Sequence, residues 1–179
     1  MFEKYPFCKT PYACTVCRIE PENNVHVILE AFSNIQESEE AFVKQLVIVG
    51  NWQKSEYGKE LKEKYSAFSN IHLLEPIYEP HEINWIRSNA ALYVHGHSAG
   101  GTNPSLVEAM NFGLPIIAFD CVYNRATTED KCLYWSNMEQ MINIMRNNDS
   151  FNQISKNMLQ LGKLYYSWET ISNKYNSIY

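Results

Sequence analysis

The stretch His97–Ala118 reads HSAGGTNPSLVEAMNFGLPIIA and contains three successive structural signals. An adjacent glycine pair predicts a flexible loop. Asn103 and Pro104 then predict the start of a helix, because an asparagine oxygen can cap the first free amides and a proline there loses no hydrogen bond. A glycine and a proline end that helix. The apolar run Leu114–Phe119 has the length of a buried strand, so the stretch predicts a loop–helix–strand unit of an α/β fold.

The loop and the start of this helix form a predicted anion-binding site. Gly100, Gly101 and Thr102 lead into a helix N-terminus, where free amides and the positive end of the helix dipole point at a ligand. Glu108 lies about one turn further on, and a carboxylate there can accept hydrogen bonds from two vicinal hydroxyls, as in a ribose. A plain amphipathic helix with Glu108 in solvent explains the pattern equally well, and both interpretations stay open.

Composition excludes several classes of protein. The chain has 179 residues, which fits one domain, and 45% hydrophobic with 20% charged residues is typical of a globular protein. The formal net charge of −5, without a basic block, argues against a nucleic-acid partner. The sequence shows no integral membrane segment and no signal peptide, so we expect a cytoplasmic protein. Five cysteines, an odd number, predict free thiols.

Strand and helix patterns alternate along the chain. We predict strands at Tyr12–Arg18, Leu46–Val49, Ile71–Leu74, Ala90–Val94, Leu114–Phe119 and Cys132–Trp135. We predict helices at Val25–Ile35, Ser55–Phe68, His81–Ser88 and from Asn103, a polar loop at Val122–Lys131, and three closing helices at Met138–Met145, Phe151–Tyr166 and Ser167–Tyr179. This order predicts a Rossmann-like, doubly wound parallel sheet of about six strands, with helices on both faces. Residues 1–11 are predicted to be a connector and residues 12–179 the domain.

A doubly wound sheet locates its own ligand site. Ligands bind beyond the carboxyl ends of the strands, where the strand order reverses, between the first and fourth strands in the common order. Arg18 ends the first predicted strand and the glycine loop follows the fourth. A guanidinium facing a helix N-terminus suits a diphosphate. A surface ion pair at a strand end is the alternative reading of Arg18.

Several motifs occur in a fixed order: Arg18 followed by Pro21–Asn24, VIVG at Val47–Gly50, IHLLEPI at Ile71–Ile77, NPSLVEAM-x-x-G-x-PIIA at Asn103–Ala118, and YSWETISNKY at Tyr166–Tyr175. In these motifs the chain resembles the C-terminal, donor-binding half of retaining glycosyltransferases of GT-B architecture, the large group 1 nucleotide-sugar family. Within that family it looks closest to bacterial polysaccharide enzymes, including rhamnosyltransferases. The resemblance implies glycosyl transfer from a nucleotide-diphosphate sugar in bacterial surface-polysaccharide synthesis.

The resemblance also implies roles for individual residues. Glu108 matches the glutamate that binds the donor ribose, and Arg18 the arginine that contacts the diphosphate. The main chain of Pro76 and Ile77 would meet the nucleobase. Backbone amides of Gly101, Thr102 and Asn103 would meet phosphate or sugar, with Gly100 in the same loop. Cationic and amide donors would stabilise the leaving diphosphate, so no metal or other cofactor is implied. No catalytic residue is assigned.

The chain departs from the family pattern in three ways. Gly100 stands where the family has its first glutamate, and Asn23 stands where a lysine often helps to hold the diphosphate. The partner that the resemblance implies, an N-terminal acceptor-binding domain, is not represented. We therefore expect this chain to bind a donor but to transfer poorly alone, and the full-length enzyme could be peripheral to the inner membrane.

The sequence also allows other interpretations. A non-catalytic Rossmann-like module for nucleotide binding or protein contact is the main alternative. Cys14 and Cys17 lie three residues apart on a strand, so their side chains point to opposite faces and cannot chelate one metal. His95 and His97 with Glu108 suggest zinc only weakly, since no further ligand has metal spacing. The glycine fingerprint of NAD-binding enzymes is absent after the first strand.

Overall fold

The computed structural model of the protein describes residues 1–35 and 41–177. The strands are β1 (Tyr12–Val16), β2 (Gln45–Val49), β3 (Ile71–Leu74), β4 (Leu92–His95), β5 (Ile116–Phe119) and β6 (Leu133–Trp135). The helices are α1 (Val25–Ile35), α2 (Glu56–Tyr65), α3 (Pro80–Ser88), α4 (Pro104–Asn111), α5 (Val122–Thr128), α6 (Met138–Arg146), α7 (Phe151–Tyr166) and α8 (Trp168–Asn176).

The six strands form one parallel sheet with the order β3-β2-β1-β4-β5-β6. The order reverses between β1 and β4, which confirms the predicted doubly wound, Rossmann-like fold and the position of its switch point. The central strands are mostly apolar and are buried except at Val16 and Gln45, which are partly buried, as expected for strands covered by helices on both faces. The carboxyl ends of β1 and β4 therefore open onto the same edge of the sheet.

Helix α4 begins and ends for the local reasons that its sequence indicates. The Asn103 side chain accepts a hydrogen bond from the Ser105 amide at 2.9 Å, and Pro104 occupies the first turn. Gly113 follows the helix with a φ of 65°, the left-handed conformation that favours glycine. Helix α7 packs along α4, and Gly162 lies against Asn111, where a Cβ atom would approach the amide oxygen to 2.9 Å.

The prediction of a polar loop at Val122–Lys131 was wrong, because Val122–Thr128 forms α5. Its buried positions are polar ones, Asn124, Thr127 and Thr128, whereas Val122 is exposed. The Thr128 hydroxyl donates to the Asn124 carbonyl at 2.8 Å, which satisfies it inside the helix. A helix that turns its polar residues inward shows none of the apolar periodicity on which the prediction depended.

Residues 1–11, predicted as a connector, pack against the domain. The Phe7 ring stacks on His72 of β3 with ring centroids 4.0 Å apart. Tyr5 and Cys8 are buried, and Lys4 and Tyr5 both contact the Glu82 carboxylate. At the other end, the last two residues of the predicted helix Ser167–Tyr179 lie outside the described residues.

The described cysteines are free thiols, as predicted. No helix in the described ranges is both long enough and apolar enough to cross a bilayer.

His95 makes the stability of the fold pH-dependent. Burial at the end of β4, followed by the charge of His97, lowers the pKa of His95 to about 3, and no hydrogen-bond partner is found for its Nε2 among the described residues. In the unfolded chain the His95 imidazole has its ordinary pKa of about 6.5, so as the pH falls the unfolded state is protonated before the folded state. The free energy of unfolding therefore decreases as the pH falls below about 6.5. We expect the free energy of unfolding to be about 2 kcal/mol lower at pH 5 than at pH 7.

Urea unfolding at several pH values between 5 and 7 would measure this slope. The His95→Gln variant should flatten it, leaving the smaller contribution of His72, whose pKa burial also lowers. An unchanged slope in His95→Gln would show that another group carries the pH dependence.

Candidate functional site

Two asparagines tie the loop after β1 to the loop after β4. The Asn23 amide donates to the Arg18 carbonyl at 2.8 Å, and its oxygen lies 2.8 Å from Nδ1 of His97. The next residue, Asn24, adopts a left-handed conformation and donates to the Gly96 carbonyl at 2.8 Å. The asparagine that replaces the expected lysine therefore crosslinks the two sides of the switch point.

The crosslink continues through two neighbouring residues. The backbone amide of Ser98 donates to the Glu22 carbonyl at 2.8 Å, and its hydroxyl donates to the same oxygen at 2.9 Å. From α5, the Asn124 amide donates to the carbonyls of His97 and Phe119, each at 2.8 Å. Three loops are thus held together before any ligand binds, which is the preorganisation that a binding site needs.

Close backbone contact at Gly96 is part of this arrangement. A Cβ atom at Gly96 would lie 2.0 Å from the Asn23 carbonyl oxygen, whereas one at Gly101 would meet nothing within 4 Å. We expect Gly96→Ala to lower the free energy of unfolding by about 2 kcal/mol through overpacking. Gly101→Ala, the matched control, should change it by less than about 0.5 kcal/mol. Chemical denaturation of both variants measures the difference, and equal stabilities would contradict the contact.

A cavity of about 300 Å³ opens at the carboxyl edge of β1, β2 and β3. Arg18 and Lys54 line one part of it, and Pro76, Ile77 and Tyr78 line another. The remaining lining residues are Val16, Cys17, Ile19, Val49, Gly50, Asn51 and Ser105. We call this space the cleft; it combines two cationic side chains with a largely apolar wall.

A second cavity of about 200 Å³ adjoins the cleft, and the two share Cys17, Arg18 and Ser105. Its other lining residues are Asn23, His97, Asn103 and Pro104. It therefore lies at the N-terminus of α4, where the positive end of the helix dipole favours an anion. The structure thus brings Arg18, Pro76, Ile77 and Asn103 to two adjoining cavities.

The two cations of the cleft are held loosely. Nη2 of Arg18 lies 3.4 Å from the Glu22 carboxylate, and Nζ of Lys54 lies 3.4 Å from that of Glu20. Their side chains are 63% and 59% exposed, so these ion pairs contribute little to stability and an anionic ligand can replace the carboxylates. Burial raises the pKa of the Cys17 thiol to about 12, so the thiol stays protonated beside them.

Glu108 lies apart from the cleft. Its half-exposed carboxylate borders a groove of about 550 Å³ formed by α4 and by the region where α7 meets α8, including Tyr166 and Trp168. On the helix surface Glu108 lies between Ser105, which lines the cleft, and Asn111, which lines the groove. It pairs with Arg87 of α3, whose Nη2 is 2.5 Å from its Oε2.

The glycine loop is also distributed over more than one surface. Gly100 is exposed, has a φ of 80°, and lines none of the cavities described here. Gly101 and Thr102 line a pocket of about 180 Å³ with Tyr123 and Tyr166, and Thr102 also borders the groove. Gly100, Gly101 and Thr102, which are predicted donor contacts, therefore do not line the cleft.

Sequence reasoning missed three residues of this region, Lys54, Ser105 and Arg87. Lys54 lies on a polar loop after β2 without a motif, and only the topology, which brings that loop to the switch point, signals its position. Ser105 follows the helix cap directly and could have been found as a first-turn residue. Arg87 looks like an ordinary polar residue near the end of an amphipathic helix. The described residues contain no group of three or more potential metal ligands.

Comparison with known proteins identifies the family of this chain. The sequence model described as "Glycosyl transferases group 1" matches residues 2–131. Among curated proteins, none matches the chain. Solved structures do match, among them HepE of Anabaena in complex with UDP-glucose, with a TM-score of 0.82, 15% identity, and coverage of 99% of this chain and 50% of that one.

Two further structures have the same fold. Sucrose-phosphate synthase of Thermosynechococcus elongatus gives a TM-score of 0.77 at 18% identity, covering 96% of this chain and 45% of that one. The pneumococcal O-GlcNAc transferase GtfA, in complex with UDP and GlcNAc, gives 0.68 at 17% identity, covering 93% and 35%. The chain thus spans half or less of the length of these structures, and the identities establish likeness of fold alone.

Proposed function

Because this chain belongs to the group 1 glycosyl transferases, we propose that its cleft binds the nucleoside-diphosphate part of a nucleotide-sugar donor. The observation that carries the proposal is the convergence, in adjoining cavities, of Arg18, Lys54 and the N-terminus of α4. Two loosely held cations and the positive end of a helix dipole match a ligand with two phosphates. HepE and GtfA contain UDP or a UDP-sugar, which supports a ligand of this class.

The ligand has a natural orientation in the cleft. The apolar wall of Pro76, Ile77 and the 87% exposed Tyr78 offers a surface for a nucleobase. The diphosphate would then extend past Arg18 and Lys54 toward the start of α4 at Asn103 and Ser105, with the sugar beyond it. Glu108, one turn further along α4, is the carboxylate that would accept from the ribose hydroxyls.

The chemistry follows from this orientation. When the bond between sugar and diphosphate breaks, negative charge grows on the diphosphate, and Arg18, Lys54 and the N-terminus of α4 would stabilise it. Lys54 would supply the second cation that the family's lysine supplies elsewhere, since Asn23 is used as a crosslink. No metal is required in this proposal.

We propose that glycosyl transfer itself also needs an acceptor-binding domain, which would correspond to the part of the solved structures that this chain does not cover. A role in bacterial surface-polysaccharide synthesis, retention of configuration and a cytoplasmic location at the inner membrane rest on the sequence resemblance and stay predictions.

A thermal-shift panel tests the proposal. The chain is heated alone and with UDP, GDP, dTDP, ADP or pyrophosphate. A ligand present at about 100 times its dissociation constant adds about 2.7 kcal/mol, which raises the melting temperature by about 5 to 10 °C in a domain of this size. One nucleoside diphosphate should raise the melting temperature clearly more than pyrophosphate does. If none shifts the melting temperature, the non-catalytic alternative replaces this proposal.

A further inference from the structure

Arg87 is a buried charge in the last turn of α3. Its side chain is only 6% exposed, and its Nε has no hydrogen-bond partner among the described residues. Burial raises the pKa of the Cys14 thiol to about 12, and the positive charge of Arg87 opposes that rise. A charge in such a place is costly unless a counter-charge meets it.

That counter-charge is Glu108. Nη2 of Arg87 and Oε2 of Glu108 are 2.5 Å apart, and this is the one ion pair recorded for Arg87 in the part of the chain that the structure describes. The two partners differ in exposure, 6% against 49%. The pair therefore has a buried end at Arg87 and an outer end at Glu108 that faces solvent beside the groove.

The consequence concerns the orientation of Glu108. A glutamate on a helix surface normally samples several rotamers, and a diol that binds it must stop that motion. Here the Arg87 guanidinium pairs with one oxygen of the Glu108 carboxylate, so the Glu108 side chain is oriented before the ligand binds. Preorganisation of this kind raises affinity without adding a contact to the ligand.

We infer that Arg87 is a positioning residue, which fixes the Glu108 carboxylate so that the site distinguishes a ribose from a sugar without the vicinal hydroxyls. The inference rests on the proposed function, because it requires a nucleotide in the cleft. It adds a selectivity device in α3, a helix that the cleft itself does not include. The alternative is that Glu108 only compensates the buried charge and has no ligand.

The test compares UDP with its 2′,3′-dideoxy analogue by titration calorimetry. The wild type should prefer UDP by about tenfold, the value of a hydrogen bond to a charged acceptor. Arg87→Met, which keeps the length and volume of the side chain, should reduce the preference below about threefold and leave binding of the dideoxy analogue unchanged. Arg87→Lys should restore part of the preference.

Arg125→Met is the matched control. Arg125 also pairs with acidic residues, at 2.6 Å with Asp120, but lies in α5 outside the cleft, so its removal should leave the preference intact. A full preference in Arg87→Met would overturn the inference while the proposed function stands. A wild type that binds UDP and its analogue equally would also overturn it, and a wild type that binds neither would remove the proposed function together with it.

Discussion

Replacing Glu108 with alanine lowers the free energy of unfolding by about 3 kcal/mol in our account, although the side chain is half exposed. The loss comes from Arg87, whose buried guanidinium would keep its charge and lose its counter-charge. Breaking a buried pair from one side costs about 3 to 5 kcal/mol, and the exposure of Glu108 puts this case at the lower end. Urea denaturation at neutral pH measures it.

Replacing the partner, Arg87, should change the free energy of unfolding much less. Arg87→Met removes the buried charge itself and leaves a carboxylate that can turn into solvent, so we expect a change of less than about 1 kcal/mol. The double variant Arg87→Met/Glu108→Ala should recover most of the stability that Glu108→Ala loses. Additive effects in this cycle would contradict the pairing. Glu108→Gln is accordingly a milder probe of ribose binding than Glu108→Ala.

Replacing Arg18 with alanine should weaken nucleoside-diphosphate binding by about 100-fold. A charge-assisted bond from a guanidinium to phosphate contributes about 1.5 to 3 kcal/mol, and Arg18 borders both cavities that the diphosphate would occupy. Its ion pair with Glu22 is long and exposed, so the variant should fold normally. Titration calorimetry of UDP against the variant and the wild type gives the ratio.

Two controls make this result specific. The affinity for uridine, which has no phosphate, should be the same in Arg18→Ala and in the wild type. Lys54→Met should weaken UDP less, by about tenfold. Lys59→Met removes a similarly exposed lysine that pairs with Glu56 at 3.1 Å on α2, away from the cleft, and should change nothing. Equal UDP affinity in Arg18→Ala and wild type would remove Arg18 from the site.

The predictable parts of this molecule are those with local signals. Asn103, Pro104 and Gly113 determine the ends of α4 through capping and backbone conformation, which act within a few residues. The alternation of buried strands with amphipathic helices was sufficient for the sheet order, and with it the meeting of Arg18 and the start of α4. Helix α5 was missed because its buried residues are polar and are satisfied by partners that the sequence does not identify.

The candidate site was only partly predictable for a related reason. Lys54 reaches the cleft through a loop whose sequence carries no motif, and nothing in the sequence around Arg87 indicates that its side chain is buried and paired with Glu108. Asn23 looked like the loss of a lysine, whereas its side chain joins Arg18 to His97. Contacts between residues distant in the sequence decide these roles, such as that between Asn23 and His97, 74 positions apart.

The most direct test is to map where a nucleoside diphosphate binds. Backbone amide signals of the isotopically labelled chain are followed by NMR while UDP is added. We expect that the signals that shift most belong to residues lining the cleft and the adjoining cavity, Arg18, Gly50, Ile77 and Ser105 among them. Shifts confined to the groove beside Trp168, or spread over the surface without saturation, would contradict a donor site at the switch point.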